Sequence, residues 1–218
     1  MANNRQKRKA GFTIIELLVT LSISSVLIAA AYRTFTSQHK VYHVQNEVME
    51  MQQGVRVAMD ILVRDIRMAG FSSTVSLSDP IAINPVEEGM RNGTDSIAVQ
   101  YQYNGVERTI TYFVDDDMDE PHLIRSVVEA GNELSADPLS NNIRDLQLTY
   151  GMDLDSDGIV DQWQETPAGL DDKVIAVGIS VQVRSAKPDP DYIHPASGDH
   201  YRTRQLQSMV RIRNFALN

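Results

Sequence analysis

From Phe12 to Tyr32 the chain reads FTIIELLVTLSISSVLIAAAY, 21 residues holding a single charge, Glu16. As a helix this run spans about 31 Å at 1.5 Å per residue, the thickness of one bilayer core. Downstream, Val41, Val44, Val48, Met51, Val55, Ala58, Leu62, Ile66 and Ala69 recur at spacings of three and four. That recurrence marks one apolar face of a helix. No proline interrupts residues 12–79. Gly54 costs about 1 kcal/mol relative to alanine but does not break the pattern. Gly70 follows the last apolar position and suits a C-cap. The pattern predicts one helix from Phe12 to about Ala69, apolar all round in its first half and one-sided in its second.

After that helix the periodicity changes. Ser96–Tyr103 and Val106–Val114 are β-rich runs separated by Asn104-Gly105, a dipeptide that favours a type I′ hairpin. Further strands are expected over Leu123–Val128, Ile143–Tyr150, Val174–Arg184 and Gln205–Arg213, with period-two alternation clearest at Val177, Ile179, Val181 and Val183. A helix followed by antiparallel strands is an α+β arrangement. The expected organisation is a leader over 1–11, a transmembrane helix over 12–35, its amphipathic continuation over 36–70 and a β-rich globular domain over 71–218.

Charge assigns a side to each part. Arg5, Lys7, Arg8 and Lys9 stand before the apolar run, so the excess of positive charge keeps residues 1–11 on the cytoplasmic side and sends the rest across the membrane. Without residues 1–11 the chain has 16 basic against 29 acidic residues, a net charge of −13. So acidic a domain argues against a general nucleic-acid surface, which needs basic patches that release counterions. A soluble buried helix and a cleaved secretory signal at Ala29-Ala30-Ala31 are the other readings of the apolar run. Its length and basic flank argue against the first, and helical periodicity continuing straight through it against the second. There are no cysteines, so disulfides and thiolate metal sites are excluded. P-loop, Rossmann, zincin and nucleophile-elbow motifs are absent as well. His39 and His43 share a helix face and read as a surface pair. No catalytic constellation is present and no enzymatic activity is expected.

The stretch Lys9 to Leu18, K-A-G-F-T-I-I-E-L-L, resembles the class III signal of type IV prepilins: a short basic leader, Gly11, Phe12, a carboxylate five positions into the mature chain at Glu16, then a long apolar helix. The resemblance implies the pilin fold, with cleavage between Gly11 and Phe12 by a prepilin peptidase that also N-methylates Phe12. Independently of the family, a lone acid in an apolar span costs roughly 2.5–3.5 kcal/mol at the bilayer centre. The new amino group of Phe12, in the same or a neighbouring subunit, would offset that cost; snorkelling as a neutral acid is the alternative. The stretch Arg56–Phe71, with Ser208–Phe215, is similar to PilW-type minor pilins, which resemble the J-type pseudopilin of type II secretion. Most arginines and aspartates of the first stretch read as the solvated face of the helix. Many major pilins carry a proline in the buried half of the helix, and this chain does not.

One motif lies outside that frame. Asp153-Leu154-Asp155-Ser156-Asp157-Gly158-Ile159-Val160-Asp161 places carboxylates at alternate positions before a glycine, a pattern suited to a hard oxygen-seeking cation. The expected ligands are Asp153, Asp155, Asp157, the Ile159 carbonyl and Asp161, and the expected ion is Ca2+. The loop departs from an EF-hand at position twelve, Gln164, with Glu165 one residue late; an acidic turn that binds nothing is the alternative. Asp115 to Glu120 reads as a solvated hairpin tip, and Trp163 as the cover of a small apolar patch. The function implied is that of a minor pilin in type IV pilus assembly or initiation, at low copy or at the tip. The implied partners are other minor pilins, the major pilin, the prepilin peptidase and the inner-membrane assembly platform. The implied location is the inner membrane, with the C-terminal domain periplasmic, and then the pilus at the cell surface. A type II secretion pseudopilin and a tip adhesin mediating cell adhesion are the alternatives.

Overall fold

The structure is a computed structural model. It describes residues 11–72, 81–83, 90–117, 119–167 and 173–213. The basic leader before Gly11, Met118, and the end of the stretch Ser208–Phe215 beyond Arg213 lie outside the described residues.

Helix α1 runs over Ile14–Met68, close to the span predicted by the periodicity. By contacts the chain divides into two units, one up to Asn46 and one from Glu47 to Asn218. In the first unit the apolar side chains are exposed from Phe12, at 87%, through Phe35, at 63%, to Tyr42, and Val44 is half-buried. One stretch of 18 residues here reaches a mean hydropathy of 2.2, long and apolar enough to cross a membrane. Three of its hydroxyl groups bond within the helix: Thr20 donates to the Glu16 and Leu17 carbonyls, Ser22 to Leu18 and Ser25 to Ser22. A hydroxyl that must enter lipid needs such a partner, because no water is present to supply one.

In the second unit α1 buries Met51, Val55, Ala58, Met59, Leu62 and Ile66, positions three and four apart on one face. These side chains share one core with residues of two antiparallel sheets. The first sheet has the order β1 (Ile81–Ile83), β2 (Ile97–Tyr103), β3 (Val106–Val114), β4 (His122–Glu129) and β5 (Asn132–Asn141). The second has the order β7 (Gln162–Gln164), β6 (Ile143–Met152), β8 (Val174–Arg184) and β9 (Thr203–Arg211). The β2–β3 turn at Asn104-Gly105 has φ of 50° and 79°. Two consecutive positive φ values are what a type I′ turn requires, and asparagine and glycine tolerate them best. Alternation holds over Leu146–Tyr150 of β6 and Val177–Val183 of β8, where Leu146, Leu148, Tyr150, Val177, Ile179, Val181 and Val183 are buried and the residues between them are not.

Three strands were not expected. β1 and β7 have three residues each, too few to show a period. β5 is polar and contains Pro138, paired with Ile124 beside a register shift. Proline is tolerated there because β5 is an edge strand, where a missing N–H leaves no ladder bond open. Its hairpin with β4 turns at Ala130-Gly131, again with two positive φ values, 49° and 78°.

One charge on the helix is not solvated. Asp65 is buried, and its carboxylate accepts from the Tyr112 hydroxyl at 2.5 Å and from Arg125 Nε and Nη2 at 3.0 and 2.9 Å. Burial, then the adjacent Asp65 carboxylate, push the Tyr112 phenol far above its ordinary range, so it stays protonated and donates. The cluster ties α1 to β3 and β4 with directional bonds that apolar contacts alone lack. Asp65→Ala leaves Arg125 and Tyr112 without their shared acceptor. It should lower the free energy of unfolding by roughly 2–3 kcal/mol in urea titration, with Asp65→Asn losing less. A change below about 0.5 kcal/mol, the range of ordinary surface substitutions, would show that the cluster adds nothing to stability.

Candidate functional site

The start of α1 is built by a residue that the motif alone leaves unmentioned. The Glu16 N–H donates to Thr13 Oγ1 at 3.3 Å, and the Leu17 N–H to the Thr13 carbonyl at 3.2 Å. Thr13 is therefore the N-cap, and Thr13-Ile14-Ile15-Glu16 has the spacing of a capping box. Glu16 lies in the first turn, where the positive end of the helix dipole favours a carboxylate. Gly11, Phe12 and Glu16 are all exposed, with Gly11 and Phe12 ahead of the first helical residue. A backbone not yet wound into helix is one a peptidase can grip.

At the other site, the loop after β6 folds back on itself through Ser156 and Gly158, at φ of 65° and 83°. Asp153 is buried and accepts from the N–H groups of Gly158 at 2.7 Å and Asp157 at 3.1 Å. Burial alone would raise the Asp153 carboxyl, but the N–H groups of Gly158, Ser156 and Asp157, with help from Asp155, outweigh it and hold the pKa below the usual value. The Leu154 N–H donates to Asp161 Oδ2 at 2.7 Å. One carboxylate oxygen from each of Asp153, Asp155 and Asp161 lies within 4.8 Å of the other two. Oxygens on opposite sides of a Ca2+ ion stand roughly 4.6–5.2 Å apart, so the three fit a shared ion.

Asp157 is not among the three. Its Oδ1 accepts from the Ile159 N–H at 2.7 Å, closing a local turn. The Ile159 side chain is 66% exposed. The five expected ligands thus divide into three converging carboxylates and two residues bonded to each other. Two cations also touch the loop: Lys173 Nζ reaches Ser156 Oγ at 3.2 Å, and Arg211 Nη2 donates to the Gly158 carbonyl at 2.5 Å. Part of the repulsion among the carboxylates is therefore met by basic side chains.

The second acidic segment has different geometry. Asp115 pairs with His122 Nδ1 at 2.8 Å. Asp117 accepts from the Glu120 and Asp119 N–H groups at 3.1 and 2.9 Å, which hold its carboxyl below the ordinary value. It is a capped turn. His39 and His43 are exposed neighbours with ring centroids 4.7 Å apart.

Comparison with known proteins joins these observations. Residues 111–214 match the family model for type IV pilus-assembly protein W, and residues 6–32 match the prokaryotic N-terminal methylation motif. The chain is a type IV pilin-like protein. Both matches are to families of structural proteins, and this pilin-like chain is not an enzyme. Its methylation motif and apolar helix are those of a membrane-anchored pilin. The pilin-like protein PilA3 of Thermus thermophilus is 36% identical over 62 residues, which make up 28% of this chain and 27% of that protein. The chain therefore aligns with about a quarter of that relative's length. A solved type IV-like pilin from Thermus thermophilus superposes with a TM-score of 0.56 at 12% identity, covering 76% of this chain and 98% of that one. At that identity the likeness is one of fold.

Proposed function

We propose that this chain is a minor pilin, built into a type IV pilus at low copy or at its tip, where it helps to initiate assembly. The observation that carries this reading is the pairing of a prepilin methylation motif with a PilW-type β domain in one chain. A prepilin peptidase would cut between Gly11 and Phe12 and methylate the new amino group. The chain would first sit in the inner membrane, leader in the cytoplasm and β domain in the periplasm, and later reach the cell surface. Its partners would be other minor pilins, the major pilin and the inner-membrane assembly platform. Match to a pilus-assembly family favours a pilus over a secretion pseudopilus.

Glu16 has the central part in assembly. A carboxylate in an apolar helix is costly in lipid, and a free amino terminus in the same environment is costly too. Bringing the two together between neighbouring subunits removes both costs, which makes growth of the filament favourable. Glu16→Leu makes the anchor more apolar, so the protein should still be membrane-inserted while surface pili fall at least several-fold in counts by electron microscopy. Unchanged piliation would remove Glu16 from the assembly step, and an equal loss of membrane insertion would make it an anchoring residue instead.

A second part of the reading concerns Ca2+, held by Asp153, Asp155 and Asp161. Asp153 stays ionised, as a ligand must, and the loop is preformed by its own backbone bonds. Ca2+ should raise the melting temperature of the chelator-treated protein, by an amount that grows with concentration as binding to the folded state requires. Asp155→Ala, an exposed change, should abolish the rise. No response in the parent protein would make this loop an acidic turn held by Lys173 and Arg211.

A further inference from the structure

Trp163 is the single tryptophan of the chain and is 41% exposed. It sits on β7 opposite Gly151 of β6. A Cβ added to Gly151 would stand 3.0 Å from Trp163 Cη2 and 3.1 Å from Cζ2, and one added to Gly178 of β8 would stand 3.5 Å from Cζ3. The indole therefore lies across two glycines on neighbouring strands, close enough that a side chain at Gly151 would displace it. Covering bare backbone accounts for the inner side of the ring but leaves the rest in water.

The face around it is unusual for this protein. Cross-strand partners share a face, so the register sets Thr149, Gly178 and Met209 in one row, Gln147, Ser180 and Gln207 in the next, and Gln182 beside Gln205 in a third. These residues point away from the core that buries Leu148, Ile179 and Val181. None is charged, in a chain of net charge −9. Charges close the flanking rows: Asp145 stands opposite Gln182 in the third, and Arg211 stands opposite Ala176 in the row of Gly151 and Trp163. The polar groups are held in place: Gln205 Nε2 donates to Ser180 Oγ at 2.6 Å, and Gln147 Nε2 to the Gly93 carbonyl at 3.1 Å and Asp145 Oδ1 at 2.9 Å.

We propose that this outer face of the second sheet binds a neutral polysaccharide, with Trp163 as the platform on which one sugar ring stacks. The chemistry on each side corresponds. A sugar ring has an apolar face of C–H groups that suits a flat aromatic surface, and its hydroxyls are donors and acceptors at once, as are primary amides and hydroxyl side chains. Gly178 lets the Thr149 side chain and the indole lie close against the sheet, where a Cβ would clash with Thr149 Oγ1, so the outer face of the ring is the part left for a ligand. The acidic balance of the chain, net charge −9, with Asp145 bonded to Gln147 at the edge of the face, disfavours polyanions such as nucleic acid or acidic glycans. A protein partner fits less well, since the centre of a protein interface is apolar and aromatic, and here Trp163, Met209 and Val160 are set among glutamines, serine and threonine. The inference goes beyond the minor-pilin reading and stands whether or not the chain enters a filament.

The test uses the full chain in a detergent without a sugar headgroup, with Trp163 as its own reporter. The probes are hydroxyethylcellulose, galactomannan and dextran as neutral polymers, and alginate as an anionic one. At least one neutral polymer should shift the emission of Trp163 to shorter wavelength in a saturable way and retard the protein in affinity electrophoresis. Alginate should do neither. Trp163→Ala should weaken retardation roughly tenfold, the size of one lost aromatic stack. Gln207→Glu, an exposed change that leaves the core alone, should weaken it several-fold while the melting temperature holds. Retardation by none of the neutral polymers, equal retardation by alginate, or full binding by both variants would overturn the proposal. So would an emission shift produced by another pilin and by no polysaccharide, which would make the face a protein interface.

Discussion

Helix α1 has to be satisfied by two different surroundings, and the rest of the molecule follows from that requirement. Around Phe12–Tyr32 every direction is apolar, and the side chains are exposed. Only lipid, or other helices of the same kind, can cover them. From Met51 to Ile66 the buried apolar residues keep to one side, which the sheets cover, and Val57 on the other side is left exposed. One uninterrupted hydrogen-bond ladder thus joins a part that cannot be stable in water to a part that folds there. The β domain gains an anchor, and the anchor gains a soluble body to present.

Most of this arrangement could be read in advance from periodicity. The helix ends within two residues of the expected limits, and β3 and β8 have the expected bounds. These elements have long, clean patterns and strong end signals at Asn104-Gly105 and Gly70. What could not be read has physical reasons. β5 has the composition of a loop, because an edge strand facing water needs neither apolar residues nor every N–H, and so it accommodates Pro138. Asp65 is different, since its position was informative: it stands three residues after Leu62 and seven after Ala58, on the buried stripe, and a charge there must have a partner. Thr13 was also visible as the first member of a capping box with Glu16.

The acidic loop shows why spacing is a weaker guide than topology. Alternate carboxylates suggest that Asp153, Asp155 and Asp157 act together, but the chain reverses at Ser156 and Gly158. Asp161, expected from the sequence, converges with Asp153 and Asp155, while Asp157 closes a turn with the Ile159 N–H. Lys173 and Arg211, far apart in sequence, reach the same loop. The neighbouring uncharged face is equally invisible along the chain, because its rows are assembled across β6, β8 and β9. Trp163 links the two features, standing just after the loop and lying over the glycines of the sheet.

The central claim is that the basic leader is removed to expose an amino group beside an acidic helix. Intact mass spectrometry of the protein extracted from cell membranes tests it most directly. The account predicts the mass of residues 12–218 with one added methyl group, and the full-length mass when Gly11 is replaced by alanine. A parent protein that keeps its leader in cells with an active prepilin peptidase, or one cut after Ala31, would contradict it.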